Sequence, residues 1–162
     1  MLFRINQIGV KFVLKEVEKK ALEYFNGNYN CAQSVLRTVL EEKGLFFKQA
    51  PAIANAFGGG IIGRGEVCGA VSGAVMVIGV LSSINGSDIV DQKKIAREKT
   101  EEFYRQFEGI FGHSSCNGLI GIDPSDPEAK RKASEAGIYK ENCPKFVAKA
   151  TAIVLELFSE KK

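Results

Sequence analysis

The chain has no Cys-x-x-Cys pair and only one histidine, His113. The first absence removes the zinc-knuckle and thioredoxin-type motifs, which need two sulfurs close together in sequence. No stretch of useful length alternates apolar and polar residues with a period of two, so no sheet is expected. There is no internal repeat and no low-complexity tract. Lysine and arginine form no cluster beside an aromatic platform, and the net charge is only +3, which argues against a nucleic-acid partner. Met1 to Val17 carries charges every few residues and lacks the apolar core and small-residue cleavage site of a secretory signal. Cytoplasmic thiol chemistry is the setting this suggests, and four cysteines there are more often reactive than structural.

What is present is ordinary in bulk and unusual in one place. At 162 residues, with 45% apolar and 25% charged side chains, the chain suits one domain, 1–162, with a real core. From Val67 to Ile84 there is no charged side chain at all. A helix of that composition is apolar on every face and needs other helices around it. Gly69 and Gly73 lie four apart, so they share one face on which a neighbouring backbone can come close. The run is about the shortest that spans a bilayer and is rich in glycine and serine, so a membrane span is not the reading taken.

Around this element the periodicity gives amphipathic helices. Val10, Val13, Leu14, Val17, Ala21, Tyr24 and Phe25 form one stripe, ended by Asn26-Gly27-Asn28. Cys31, Ala32, Val35, Leu36, Val39 and Leu40 form a second, with Asn30 as its cap and Gly44 as its stop. A short helix runs from about Gln49 to Phe57. Asp88 caps a helix over Ile89 to Ile110, with Ala96, Thr100, Phe103, Phe107, Ile110 and Phe111 expected on its buried face. Ser125-Asp126-Pro127 opens a charged helix that Gly137 closes. The last helix is expected to start at Pro144, with Cys143 as its cap and Phe146, Val147, Ala150, Ile153, Val154, Leu157 and Phe158 inside. The fold expected is all-α, a single-domain bundle of about six helices around a glycine-rich apolar central helix.

The four cysteines are Cys31, Cys68, Cys116 and Cys143, separated by 37, 48 and 27 residues. On this reading Cys31, Cys68 and Cys143 each stand at a helix start, and Cys116 stands in a loop. A helix start presents free amides and the positive end of the macrodipole, which favour thiolate over thiol. Gly58-x-Gly60-x-x-Gly63 matches the dinucleotide fingerprint in letters only, since no strand precedes it. It reads instead as backbone freedom beside a reactive site, with amides able to receive an anion or thiolate. Arg64 is the nearest cation to Cys68 but reads as solvated. His113, three residues before Cys116, reads as a surface histidine in a polar turn rather than a base or ligand.

At these residues the sequence resembles the redox-active protein family named for its C_GCAxxG_C_C cysteine pattern. Asn30-Cys31-Ala32-Gln33 matches the first cysteine of the pattern. Phe57-Gly58-Gly59-Gly60 with Glu66-Val67-Cys68-Gly69-Ala70-Val71-Ser72-Gly73-Ala74 is similar to its central motif. Cys116-Asn117-Gly118-Leu119-Ile120-Gly121-Ile122-Asp123 resembles its third element, and Cys143-Pro144 with the closing helix its fourth. The resemblance covers residues 20–158 or so and implies that the four cysteines belong together. His113 has no place in the pattern.

Three functions follow as expectations. In the first, the chain is a thiol redox protein acting on a partner protein or a small thiol or disulfide. Cys68 attacks a substrate disulfide or accepts oxidising equivalents in electron transfer, and Cys116 or Cys31 resolves, provided the pair's Cα atoms lie about 4.4–6.8 Å apart. In the second, the four cysteines, or three with His113, hold zinc or an iron–sulfur cluster. The wide spacing counts against that, and the number four counts for it. In the third, the chain is a helical scaffold whose cysteines only pack.

Overall fold

The computed structural model describes residues 7–159. Met1 to Asn6 and residues 160–162 lie outside it, and so do part of the N-terminal stretch read above for a signal and the side chain of Val10. Eight α-helices follow in order: α1 Gln7–Asn26, α2 Cys31–Glu42, α3 Ala50–Ile53, α4 Gly69–Asn85, α5 Ile89–Phe111, α6 Cys116–Ile120, α7 Pro127–Glu135 and α8 Ile138–Leu157. A single 3-10 turn, Asn55–Phe57, lies between α3 and α4. There is no strand among the described residues, and one isolated antiparallel bridge joins Val67 to Ser115. The fold is all-α; α3 and the 3-10 turn fall within the short helix expected over Gln49 to Phe57, and α6 stands where a loop carrying Cys116 was expected.

Local chemistry starts these helices where the sequence says. Asn30 closes a full capping box on α2: its Oδ1 accepts from the Gln33 amide at 2.9 Å, and Gln33 Oε1 accepts from the Asn30 amide at 3.0 Å. Asp88 accepts from the amides of Val90 and Asp91, both at 2.9 Å, at the start of α5. Asp126 does the same for α7, with Pro127 in its first turn.

The core is one cluster drawn from α1, α2, α3, α4, α5, α6 and α8. Glycine sets how close its helices come. A Cβ on Gly73 would stand 2.5 Å from the carbonyl oxygen of Ala32, so α4 lies against the backbone of α2. Phe103 and Phe107 of α5 are fully buried and meet Phe146 of α8 through the edge contact of Phe107.

Three expectations are corrected. The cover around α4 is incomplete: Val75, Met76 and Val80 are half-buried and Gly79 is exposed, at the three- and four-residue spacing of one helix face. Ile110 is 54% exposed, because Phe103, Phe107 and Phe111 already form the inward stripe of α5 and residue 110 turns outward. The last helix begins at Ile138, so Pro144 lies inside it and Cys143 is not its cap. The proline leaves the Lys140 carbonyl without its helical partner, and the helix continues through it.

No helix among the described residues is long and apolar enough to cross a membrane.

Candidate functional site

All four cysteines line one cavity of about 240 Å³, together with Phe25, Leu119, Ile120, Tyr139 and Phe146. Each thiol is delivered by a different element. Cys31 is the first residue of α2, Cys68 caps α4, Cys116 is the first residue of α6 and Cys143 lies one turn into α8.

Backbone hydrogen bonds bring the distant ones together. The Cys68 amide donates to the Ser114 carbonyl at 2.9 Å, and the Cys116 amide donates to the Glu66 carbonyl at 2.7 Å. The Asn117 amide adds a bond to the Gly65 carbonyl at 3.0 Å. These three bonds set residues 65–68 alongside 114–117. Asn30 holds the other side, donating from Nδ2 to the Asn55 carbonyl at 2.9 Å, which draws Gly58 and Gly59 into the cavity wall beside Cys31.

The glycine run is a short left-handed turn. Gly59, Gly60, Ile61, Ile62 and Gly63 all have φ between +47° and +81°. Ile61 and Ile62 are β-branched, and holding each there costs about 1–2 kcal/mol. The turn is closed by its own bonds: the amides of Ile62, Gly63, Arg64, Gly65 and Glu66 donate to the carbonyls of Ala56, Gly58, Ile61, Gly59 and Gly60. Those five amides are therefore not free to receive an anion. What the turn supplies is closeness. A Cβ on Gly60 would stand 2.6 Å from Glu66 backbone atoms and 2.8 Å from the Cβ of Cys116.

Electrostatics also differ from expectation. Burial pushes the Cys68 thiol well above its ordinary value, and charge on Cys31 pushes it further, while the amides of Ala70 and Val71 at the start of α4 pull the other way and lose. Burial, then Cys31, pushes Cys116 up to about 11. Burial, then Cys31 and Cys116, pushes Cys143 up to about 12. The helix-start effect on Cys68 is real but smaller than the loss of water. Cys31 is the sulfur that all three others feel. Cys68 and Cys116 are 4% and 6% exposed, whereas Cys31 and Cys143 are half-buried and mark the open side.

All four are free thiols. Among the described residues, no three His, Cys, Asp or Glu side chains stand close enough to share one metal ion, so a shared ion would require the thiols to close on one another. His113 and Arg64 are exposed and take no part in the cavity wall.

Tyr139 was missed by the sequence reading. The signal was present, because Tyr139, Cys143, Phe146 and Ala150 continue the helical spacing backward through the proline.

An all-helical bundle that gathers four unpaired cysteines on one apolar cavity is a thiol-bearing protein by its site as well as its composition. The chain belongs to the family described as "Putative redox-active protein (C_GCAxxG_C_C)", whose pattern matches residues 29–157. It is also similar to an uncharacterised protein of Archaeoglobus fulgidus, at 24% identity over 159 residues, which is 91% of this chain and 97% of that one. No solved structure matches the chain.

Proposed function

We propose that the chain is a thiol–disulfide redox protein in which Cys31 is the attacking thiol and Cys68 the resolving one. One observation carries the reading: four free cysteines that are far apart in sequence line a single cavity. A packing role would not need them to meet. Membership of a redox-active family supports the same class.

Cys31 suits attack because it is half-exposed, whereas Cys68 is 4% exposed and its thiol is pushed up by burial. This reverses the order expected from sequence. Cys68 suits resolution because the Cys31 sulfur lies against Gly69, the next residue along. In the reaction Cys31 sulfur bonds one sulfur of a substrate disulfide and expels the other as a thiolate, which takes up a proton. Cys68 then attacks Cys31 and releases the second substrate thiol. Two protein thiols become one disulfide, and one substrate disulfide becomes two thiols. Cys116 and Cys143 form the remaining pair of the chamber.

The test is disulfide exchange by the Cys31→Ser and Cys68→Ser variants, with helicity checked by circular dichroism. Cys31→Ser is expected to lose exchange. Cys68→Ser is expected to stop at a mixed disulfide on Cys31, seen as added mass. A Cys31→Ser protein that exchanges like wild type overturns the assignment.

A further inference from the structure

We infer that this cavity takes a small, uncharged, largely apolar disulfide as its substrate, with the Tyr139 hydroxyl as a polar contact. The inference rests on the dithiol reading above and adds the substrate class.

Size is the first argument. At about 240 Å³ the cavity is smaller than the roughly 300–1,000 Å³ of pockets that hold drug-sized ligands. Charge is the second. No Lys, Arg, His, Asp or Glu side chain lines it, so an ammonium or carboxylate brought inside finds no opposite charge. Peptide disulfides such as oxidised glutathione carry several such charges. Tyr139 also bears on the substrate. Its hydroxyl oxygen is out of reach of solvent and has no hydrogen-bond partner among the described residues. Tyr139 lines the same cavity as Cys116 and Cys143, and burial first, then those two cysteines, push its hydroxyl above the ordinary range. A buried hydroxyl without a partner is costly unless something else satisfies it. A substrate sulfur that enters between Cys31 and Tyr139 and displaces the side chains over the hydroxyl does so: the hydroxyl donates to the departing sulfur as Cys31 bonds its neighbour, and the released R–S⁻ takes up the proton that Cys31 gave up, becoming R–SH. With Cys68 closing the protein disulfide, the products are two R–SH and one oxidised chain.

The experiment uses the reduced full chain and probes of nearly equal size and different charge. These are bis(2-hydroxyethyl) disulfide (uncharged), cystamine (two ammoniums) and dithiodiglycolate (two carboxylates), with glutathione disulfide as the large charged case. Each rate is divided by the rate of the same probe with free dithiothreitol. The uncharged probe is expected to exceed each charged one by roughly tenfold or more, the penalty of an unpaired buried charge. A charged probe that matches or exceeds it overturns the substrate class. The separate control is diamide, an oxidant that needs no fit. If diamide forms no Cys31–Cys68 disulfide, the dithiol reading itself falls and the inference with it. If the disulfide forms and the charged probes react as fast, only the inference falls. Tyr139→Phe is expected to slow the uncharged probe about fivefold, to let diamide still form the Cys31–Cys68 disulfide, and to raise the unfolding midpoint, because it removes a buried hydroxyl that lacks a partner. An unchanged rate with that probe removes Tyr139 from the site.

Discussion

The sulfur of Cys31 lies where a side chain on Gly69 would begin, closer to that point than the Phe57 carbonyl oxygen at 2.8 Å or the Ala32 amide at 3.2 Å. Residue 69 must therefore be glycine for α2 and α4 to present Cys31 and Cys68 to one space. Gly69→Ala is expected to cost about 1–3 kcal/mol by overpacking and to change the alkylation rate of Cys31. Gly79, on the same helix, meets nothing within 4 Å. Gly79→Ala should therefore stabilise the fold by about 0.5–1 kcal/mol. Urea unfolding of the two variants checks both signs, and a neutral Gly69→Ala with unaltered Cys31 reactivity contradicts the account.

Ile62 is held at φ +47° with 71% of its surface exposed, so it carries strain without compensating burial. Asparagine adopts the left-handed region more readily and avoids the entropy cost of glycine. Ile62→Asn is expected to raise stability by roughly 0.5–1 kcal/mol. A lower urea midpoint would mean that the side chain contributes something its exposure does not show.

Alkaline pH should loosen the fold through the buried thiols. Cys116 titrates at about 11 and Cys143 at about 12, both above the ordinary 9.0. The native state therefore keeps these protons at a pH where the unfolded chain has lost them. Their stabilising contribution is complete below pH 9 and declines as pH rises through 11 to 12. Melting curves of wild type and Cys116→Ser between pH 8 and pH 11 check this, with the variant expected to lose less. Alkylation of Cys116 by iodoacetamide should likewise rise with pH and show no plateau near neutrality.

Much of the fold was legible because helices are written locally. The stripe Ala32, Val35, Leu36, Val39 and Leu40 is buried as its spacing requires, and Asn30, Asp88 and Asp126 cap the helices they precede. The pair Gly69 and Gly73 marked the face of α4 that meets α2. The convergence of the cysteines was not legible from spacing. It depends on amide-to-carbonyl bonds between residues 65–68 and 114–117, and every residue type offers those groups. Only the family resemblance pointed to it. The thiolate expectation failed at Cys68 and Cys143 for a related reason: a helix start is read from sequence, whereas the burial that pushes these thiols up is tertiary. Proline misled at Cys143, because Pro144 reads as a first-turn residue but lies inside α8.

The most direct test of the central claim is a disulfide map of the protein after limited oxidation. Anaerobically purified, reduced protein is given one equivalent of diamide, its remaining thiols are blocked with iodoacetamide, and it is digested and weighed without reduction. The account predicts that the first disulfide joins Cys31 to Cys68, with Cys116 and Cys143 blocked. Four blocked cysteines and no disulfide, or metal at one atom or more per chain before oxidation, would contradict it.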